Sequence, residues 1–155
     1  MRVFRELYDI RPPHNVLCDE SYLDSFSKYG TKTLVANSLK EFIGDKMKLY
    51  ITSCSLHSSH NFHGVLPRGF TLATCSHVPA ISGSDCVEQR IRSKLVKQNL
   101  ILATADSVLF HTLRMLPGLP IVRRIGDQFH LKGPSDDERQ QARIKKEQEL
   151  AHLNG

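Results

Sequence analysis

Three aspartates, a set of cysteines with one histidine, and two basic groups are the parts of this 155-residue chain that could do chemistry. Asp19, Asp85 and Asp106 come first. Carboxylates converging on one sheet edge can hold Mg²⁺ or Mn²⁺, hard ions that take oxygen ligands. Paired metals there would activate water and steady the leaving oxygen of a phosphodiester. An aspartate directly after a strand is also a good helix N-cap. Three acids far apart in sequence do not decide between these roles. Cys54, Cys75, His77 and Cys86 come second. Three thiolates with one imidazole form a closed, structural zinc set. One residue separates Cys75 from His77 and eight separate His77 from Cys86, a spacing that matches no standard zinc finger. Free cysteines are also among the most buried residue types. Residues 60–83 carry few large apolar side chains, and metal binding can supply the folding energy they lack. His57, His60 and His63 are spare ligand candidates.

The basic residues come third. Arg90, Arg92, Lys94 and Lys97 flank the apolar stripe of one predicted helix. Arg123 and Arg124 follow a predicted strand, and no acid immediately flanks them. Arg139, Arg143, Lys145 and Lys146 interleave with Glu147 and Glu149, the pattern of a solvated helix face. The 21 basic residues outnumber the 16 acidic ones, for a net charge of +5, which leans toward a polyanionic partner. No G-x-x-x-x-G-K-[ST] loop suggests an NTPase, and no Ser-His-Asp arrangement is readable. The chain shows neither an apolar run of about 20 residues nor a signal-peptide core at Met1–Arg5. A soluble, intracellular protein that meets no membrane is therefore expected, with its cysteines as thiols or metal ligands.

These residues need elements to position them. Residues 15–18, 48–52, 100–104 and 120–123 read as short buried strands, and 129–131 as an edge strand. Leu100 to Thr104 is a continuous apolar run typical of a parallel sheet. Helical stripes run through Tyr22, Leu23 and Phe26, stopped at Gly30, and through Leu34, Val35, Leu39, Phe42 and Ile43, stopped at Gly44. A third, capped by Ser84, carries Val87, Ile91, Leu95 and Val96. A fourth carries Val108, Leu109, Leu113 and Leu116 before Pro117-Gly118. This alternation predicts an α/β domain with a mainly parallel sheet. Asp19 and Asp106 follow strands and should share the carboxyl edge, where such sheets bind ligands. Ser135 to Glu138 is a capping-box signature opening a polar helix. The organisation expected is a domain over 1–132, a zinc element around 54–86, and a polar helix or tail over 133–155.

The segments NVLCDESYL (15–23), ITSCSL (51–56), ATCSH (73–77), SGSDC (82–86) and LATADSVLFHTLRMLPGLPIV (102–122) resemble, in that order, the PIN-domain ribosome-biogenesis proteins of the Fcf-one and U-three-protein-twenty-three group. The resemblance runs from about residue 3 to 132. It implies a PIN-like three-layer sandwich with a mainly parallel central sheet, a zinc element and a C-terminal polar helix. In an active PIN nuclease it implies four acids, three of them at Asp19, Asp85 and Asp106. The second falls at Ser58, which cannot supply the charge. That loss is typical of the twenty-three branch, a degenerate PIN protein acting as an RNA-binding assembly factor. Cys75-x-His77…Cys86 resembles that branch's zinc motif. Some relatives carry a cysteine where this chain has Phe70, so the fourth ligand is assigned to Cys54, with His63 as substitute. Relatives also carry a lysine-rich N-terminal arm, whereas this chain begins almost at the domain.

The resemblance therefore implies an RNA-binding factor of the small-subunit processome in pre-18S ribosomal RNA processing, without nuclease activity. It would hold structural zinc, sit in the nucleolus, and contact small nucleolar RNA, pre-ribosomal RNA and other processome proteins, the last in part through the C-terminal helix. Arg90, Lys94, Lys97, Arg123 and Arg124 are the expected RNA contacts, and the acids Asp19, Asp85 and Asp106 are vestigial. Two alternatives stand. One is an active endoribonuclease in which these acids hold Mg²⁺ or Mn²⁺. The other is a protein-interaction module that uses the tail helix and touches no RNA.

Overall fold

A computed structural model of the chain describes residues 2–26, 32–44, 46–62, 64–133 and 135–154. Gly30 and His63 lie outside them, as do the side chains of Leu34, Leu95, Val96 and Lys97. The elements run α1 (Arg2–Tyr8), β1 (His14–Cys18), α2 (Glu20–Asp24), α3 (Lys32–Ile43), β2 (Met47–Thr52), α4 (Ser53–Ser58) and β3 (Phe70–Ala73). After these come α5 (Gly83–Gln98), β4 (Leu100–Thr104), α6 (Ser107–Leu113), β5 (Ile121–Ile125), β6 (Gln128–Leu131) and α7 (Asp136–Asn154).

One sheet carries all six strands in the order β3-β2-β1-β4-β5-β6. Every pairing is parallel except β5 with β6. Strand alternation divides the core into two layers. Val16, Cys18, Ile101, Ala103 and Val122 point to the α2, α3 and α4 side, where Tyr22, Leu39 and Leu56 pack. Leu17, Leu100, Leu102 and Ile121 point to the α5 and α6 side, onto Val87, Ile91, Leu109 and Leu113. All five residues of β4 are buried, as their unbroken apolar run predicts.

The chain order reverses between β1 and β4, so the crevice beyond their carboxyl ends is the natural ligand position. Asp19 and Asp106 cap the helices that leave those two strands. Gly118, at φ +76°, makes the turn into β5, and a Cβ there would come within 3.2 Å of the Tyr8 ring. The capping box forms as read: Glu138 N–H donates to Ser135 Oγ at 3.1 Å, and Ser135 N–H donates to Glu138 Oε1 at 3.3 Å. The cap of α5 differs from the sequence reading. Ser82 Oγ accepts the Asp85 N–H at 3.1 Å, and Ser84 lies inside the helix. Helices α1 and α7 pack together, with Lys145 Nζ donating to the Glu6 carbonyl at 2.8 Å.

Candidate metal centre and acidic cleft

Cys54 opens α4, Cys86 sits in the first turn of α5, and Cys75 and His77 lie in the segment after β3. The fold brings one ligand atom from each within 4.8 Å of all the others. Cys54 Sγ lies 3.5 Å from Cys75 Sγ and 3.6 Å from His77 Nδ1. A tetrahedral zinc with Zn–S bonds near 2.3 Å has S···S edges of about 3.8 Å, so the donors already stand at the right size. The donor chemistry agrees, since soft thiolates with an imidazole favour Zn²⁺ over Mg²⁺. Burial alone would raise the Cys75 thiol. Hydrogen bonding with the His77 backbone and with Cys54, His77 and Cys86 brings it down to about 6, while burial foremost pushes Cys86 up to about 12. One donor of the set is thus poised as thiolate, the form that binds metal. Cys18 lies in the core of β1, away from this set. His57 and His60 are exposed and outside it, and Phe70 is buried in β3.

His77 has its outer nitrogen fixed as well. Nε2 lies 2.9 Å from Gln89 Oε1, and with the proton on Nε2 the Nδ1 lone pair is free for a metal. Partners of this kind orient a ligating imidazole, and their loss typically weakens metal binding 10- to 100-fold. Gln89→Leu should therefore raise the metal dissociation constant by about that factor in chelator competition. Gln89→Glu should restore it. Unchanged affinity in Gln89→Leu would contradict this role.

Asp19 is fully buried beneath the crevice. Its Oδ1 accepts from Ser21 Oγ at 2.7 Å and from Tyr22 N at 2.9 Å, and its Oδ2 accepts from Thr104 Oγ1 at 2.7 Å. The same hydroxyls accept backbone N–H groups in turn, Ser21 from Ala105 and Thr104 from Asp106. Burial dominates over these bonds and raises the Asp19 carboxyl to about 6, with the nearby Asp106 charge adding to the rise. Asp106 Oδ1 accepts from the N–H groups of Val108 and Leu109, and its Oδ2 from Ser84 Oγ at 3.0 Å. Thr104 thus joins Asp19 to Asp106. Asp85 is exposed in the first turn of α5, and neither a hydrogen bond nor an ion pair joins it to the other two acids. Ser58, where the resemblance implies an acid in an active nuclease, ends α4.

Sequence reasoning passed over Glu20. Its carboxylate reaches across to Ser58 and lies against Gly83, where a Cβ would come within 2.9 Å of its Cδ. Burial first, then Asp24 and Asp106, hold its carboxyl above the usual value. The Asp19-Glu20 doublet was the available signal. Among the described residues, only the Cys/His set gathers three or more donors closely enough to share an ion.

Of the expected RNA contacts, Arg90 and Lys94 share one face of α5, whereas Arg123 and Arg124 lie apart from them and from each other. Arg90 is half-buried and donates to the Thr74 carbonyl at 3.0 Å, and Lys94 is exposed. The Lys97 side chain lies outside the described residues. Alternation along β5 turns Arg123 and Arg124 to opposite faces of the sheet. Arg123 stacks on Phe110 at 4.0 Å, and Arg124 on Phe26 at 3.8 Å with Phe129 at 5.1 Å.

The Fcf1 family profile matches residues 41–132, more than half of the chain. The chain belongs to the Fcf1 family. The rRNA-processing protein utp23 of Schizosaccharomyces pombe is 25% identical over 130 residues, covering 79% of this chain and 49% of that protein. The chain thus spans about half the length of the curated relative it matches. The structure of the PIN domain endonuclease Utp24 superposes with a TM-score of 0.62 at 18% identity, covering 79% of this chain and 94% of that one. That likeness establishes the PIN fold. The resemblance to PIN-domain ribosome-biogenesis proteins holds, as does the mainly parallel sheet with a C-terminal helix.

Proposed function

We propose that this Fcf1-family protein is an RNA-binding assembly factor of the small-subunit processome that acts in pre-18S ribosomal RNA processing without cutting RNA. The ribosomal assignment draws on its likeness to an rRNA-processing protein of the twenty-three type. The observation that carries the absence of cutting is the make-up of the acidic cleft. Ser58 stands on α4 in place of an acid, and Asp85 is not joined to the Asp19–Thr104–Asp106 network. One zinc is held by Cys54, Cys75, His77 and Cys86. It is structural, because four protein ligands leave no open position for water. The metal ties α4, α5 and the segment after β3 into one surface. Lysine and arginine side chains neutralise phosphates and release counterions, which supplies affinity without sequence reading. The protein works in the nucleolus on small nucleolar RNA and pre-ribosomal RNA, beside other processome proteins. The organisation proposed is a PIN domain over 1–132 and a polar helical tail over 133–155 that reaches protein partners. The experiment that tests the reading scores binding and cutting of structured pre-ribosomal RNA in one Mn²⁺-containing reaction.

A further inference from the structure

A groove of about 570 Å³ runs between the 74–77 segment and one face of α5, directly beside the Cys/His set. Thr74 and Ser76 line one wall, and Gln89, Arg90 and Lys94 line the other. Among the described residues, no carboxylate lines it. The adjacent face of α5 is different: Arg92 pairs with Glu88 at 3.2 Å, the ordinary i,i+4 arrangement of a solvated helix. Among the described residues, Arg90 and Lys94 have no such partner, and they stand one turn apart, about 6 Å along the axis. Arg90 is also held in place. Its bond to the Thr74 carbonyl uses one of five N–H donors and fixes the guanidinium on the groove wall. A side chain already ordered loses less entropy on binding.

We infer that this groove holds the phosphate backbone of a single-stranded RNA segment, with Arg90 and Lys94 neutralising successive phosphates and the polar groups of Thr74, Ser76 and Gln89 bonding their oxygens. The inference rests on the RNA-binding reading and gives it a place. The groove is open and mixes polar and apolar surface in nearly equal parts, unlike the enclosed, mainly apolar pocket of a small molecule. It shares Cys75, His77 and Cys86 with the metal set, so the same clamp shapes its floor. Thr74 precedes Cys75 directly, and the metal therefore also sets the carbonyl that holds Arg90.

The test uses the full chain, purified with zinc, and fluorescence anisotropy on a labelled single-stranded RNA across a salt series. Wild type, Arg90→Gln/Lys94→Gln, Lys94→Glu and Arg92→Gln are compared. Loss of both cations should lower the slope of log affinity against log salt by about 1.4, two contacts at about 0.7 each. Affinity at low salt should fall at least about tenfold, the effect of two lost charge contacts. Lys94→Glu touches no contact of the fold and should lower both in the same direction. Arg92→Gln should change neither. RNA binding with an unchanged slope in both Lys94→Glu and the double variant would overturn the groove while leaving the RNA reading intact. Failure of wild type to bind RNA would overturn both. Displacement of the RNA by a polyglutamate peptide at equal charge concentration would reassign the groove to an acidic protein segment.

Discussion

Zinc removal should unfold residues 64–83 while the centre of the sheet stays protected. That segment has almost no core of its own. Its only regular element is β3, an edge strand with two of four residues buried. Val65, Leu66, Leu72 and Val78 are exposed. Ordering each residue costs about 1–2 kcal/mol, which so few buried groups cannot offset. A structural zinc supplies on the order of 10 kcal/mol of apparent binding energy. Chelation, or Cys86→Ser, should therefore produce a large loss of melting temperature and fast hydrogen exchange across 64–83. Amides of β1 and β4, buried between two helical layers, should remain the slowest to exchange. Elemental analysis should return about one zinc per chain, as a single four-ligand site requires. Folded protein with slow exchange across 64–83 and no zinc would contradict the site. Zinc retained in Cys54→Ser but lost in His63→Ala would move the fourth ligand to His63.

Asp19 should make stability depend on pH in a direction opposite to that of an ordinary capping aspartate. Its folded carboxyl titrates at about 6, above the usual 3.8. As pH falls, the folded chain takes up this proton before the unfolded chain does. The cost of the buried charge is thus fully present above pH 6 and is relieved between about pH 6 and pH 4. A carboxyl raised from 3.8 to about 6 carries a cost of about 3 kcal/mol when charged. Asp19→Asn keeps an acceptor for Tyr22 N–H and removes the charge. Relative to wild type, it should gain up to about 3 kcal/mol between pH 4 and pH 6.5 in urea unfolding. A difference that stays flat across this window would mean that Asp19 is not held protonated by burial.

The strands were legible because their apolar runs are unambiguous. β4 reads as buried on every residue and is. Asp19 and Asp106 were legible for the same reason, since each follows such a run and caps the next helix. α1, α4 and β3 were not identified from the pattern. α4 and β3 are six and four residues long, too short for a period to show, and β3 is an edge strand beside the Cys/His set. Ser84 read as a cap because it precedes an apolar stripe, but Ser82 reaches the Asp85 N–H and leaves Ser84 free to bond Asp106. Arg123 and Arg124 were both expected to meet RNA, although the period of a strand sends adjacent side chains to opposite faces. Glu20 was hidden for a tertiary reason. Its reach to Ser58 needs the space that Gly83 leaves.

As proposed, the protein holds RNA and does not cut it. The direct measurement incubates the zinc-loaded chain with an end-labelled, structured pre-ribosomal RNA in Mn²⁺. The same reaction is resolved on native and denaturing gels, beside Asp19→Asn and Asp106→Asn. A shifted complex on the native gel and full-length RNA on the denaturing gel are expected in all three samples. Discrete Mn²⁺-dependent fragments that vanish in Asp19→Asn and Asp106→Asn would contradict the proposal and establish a working nuclease despite Ser58.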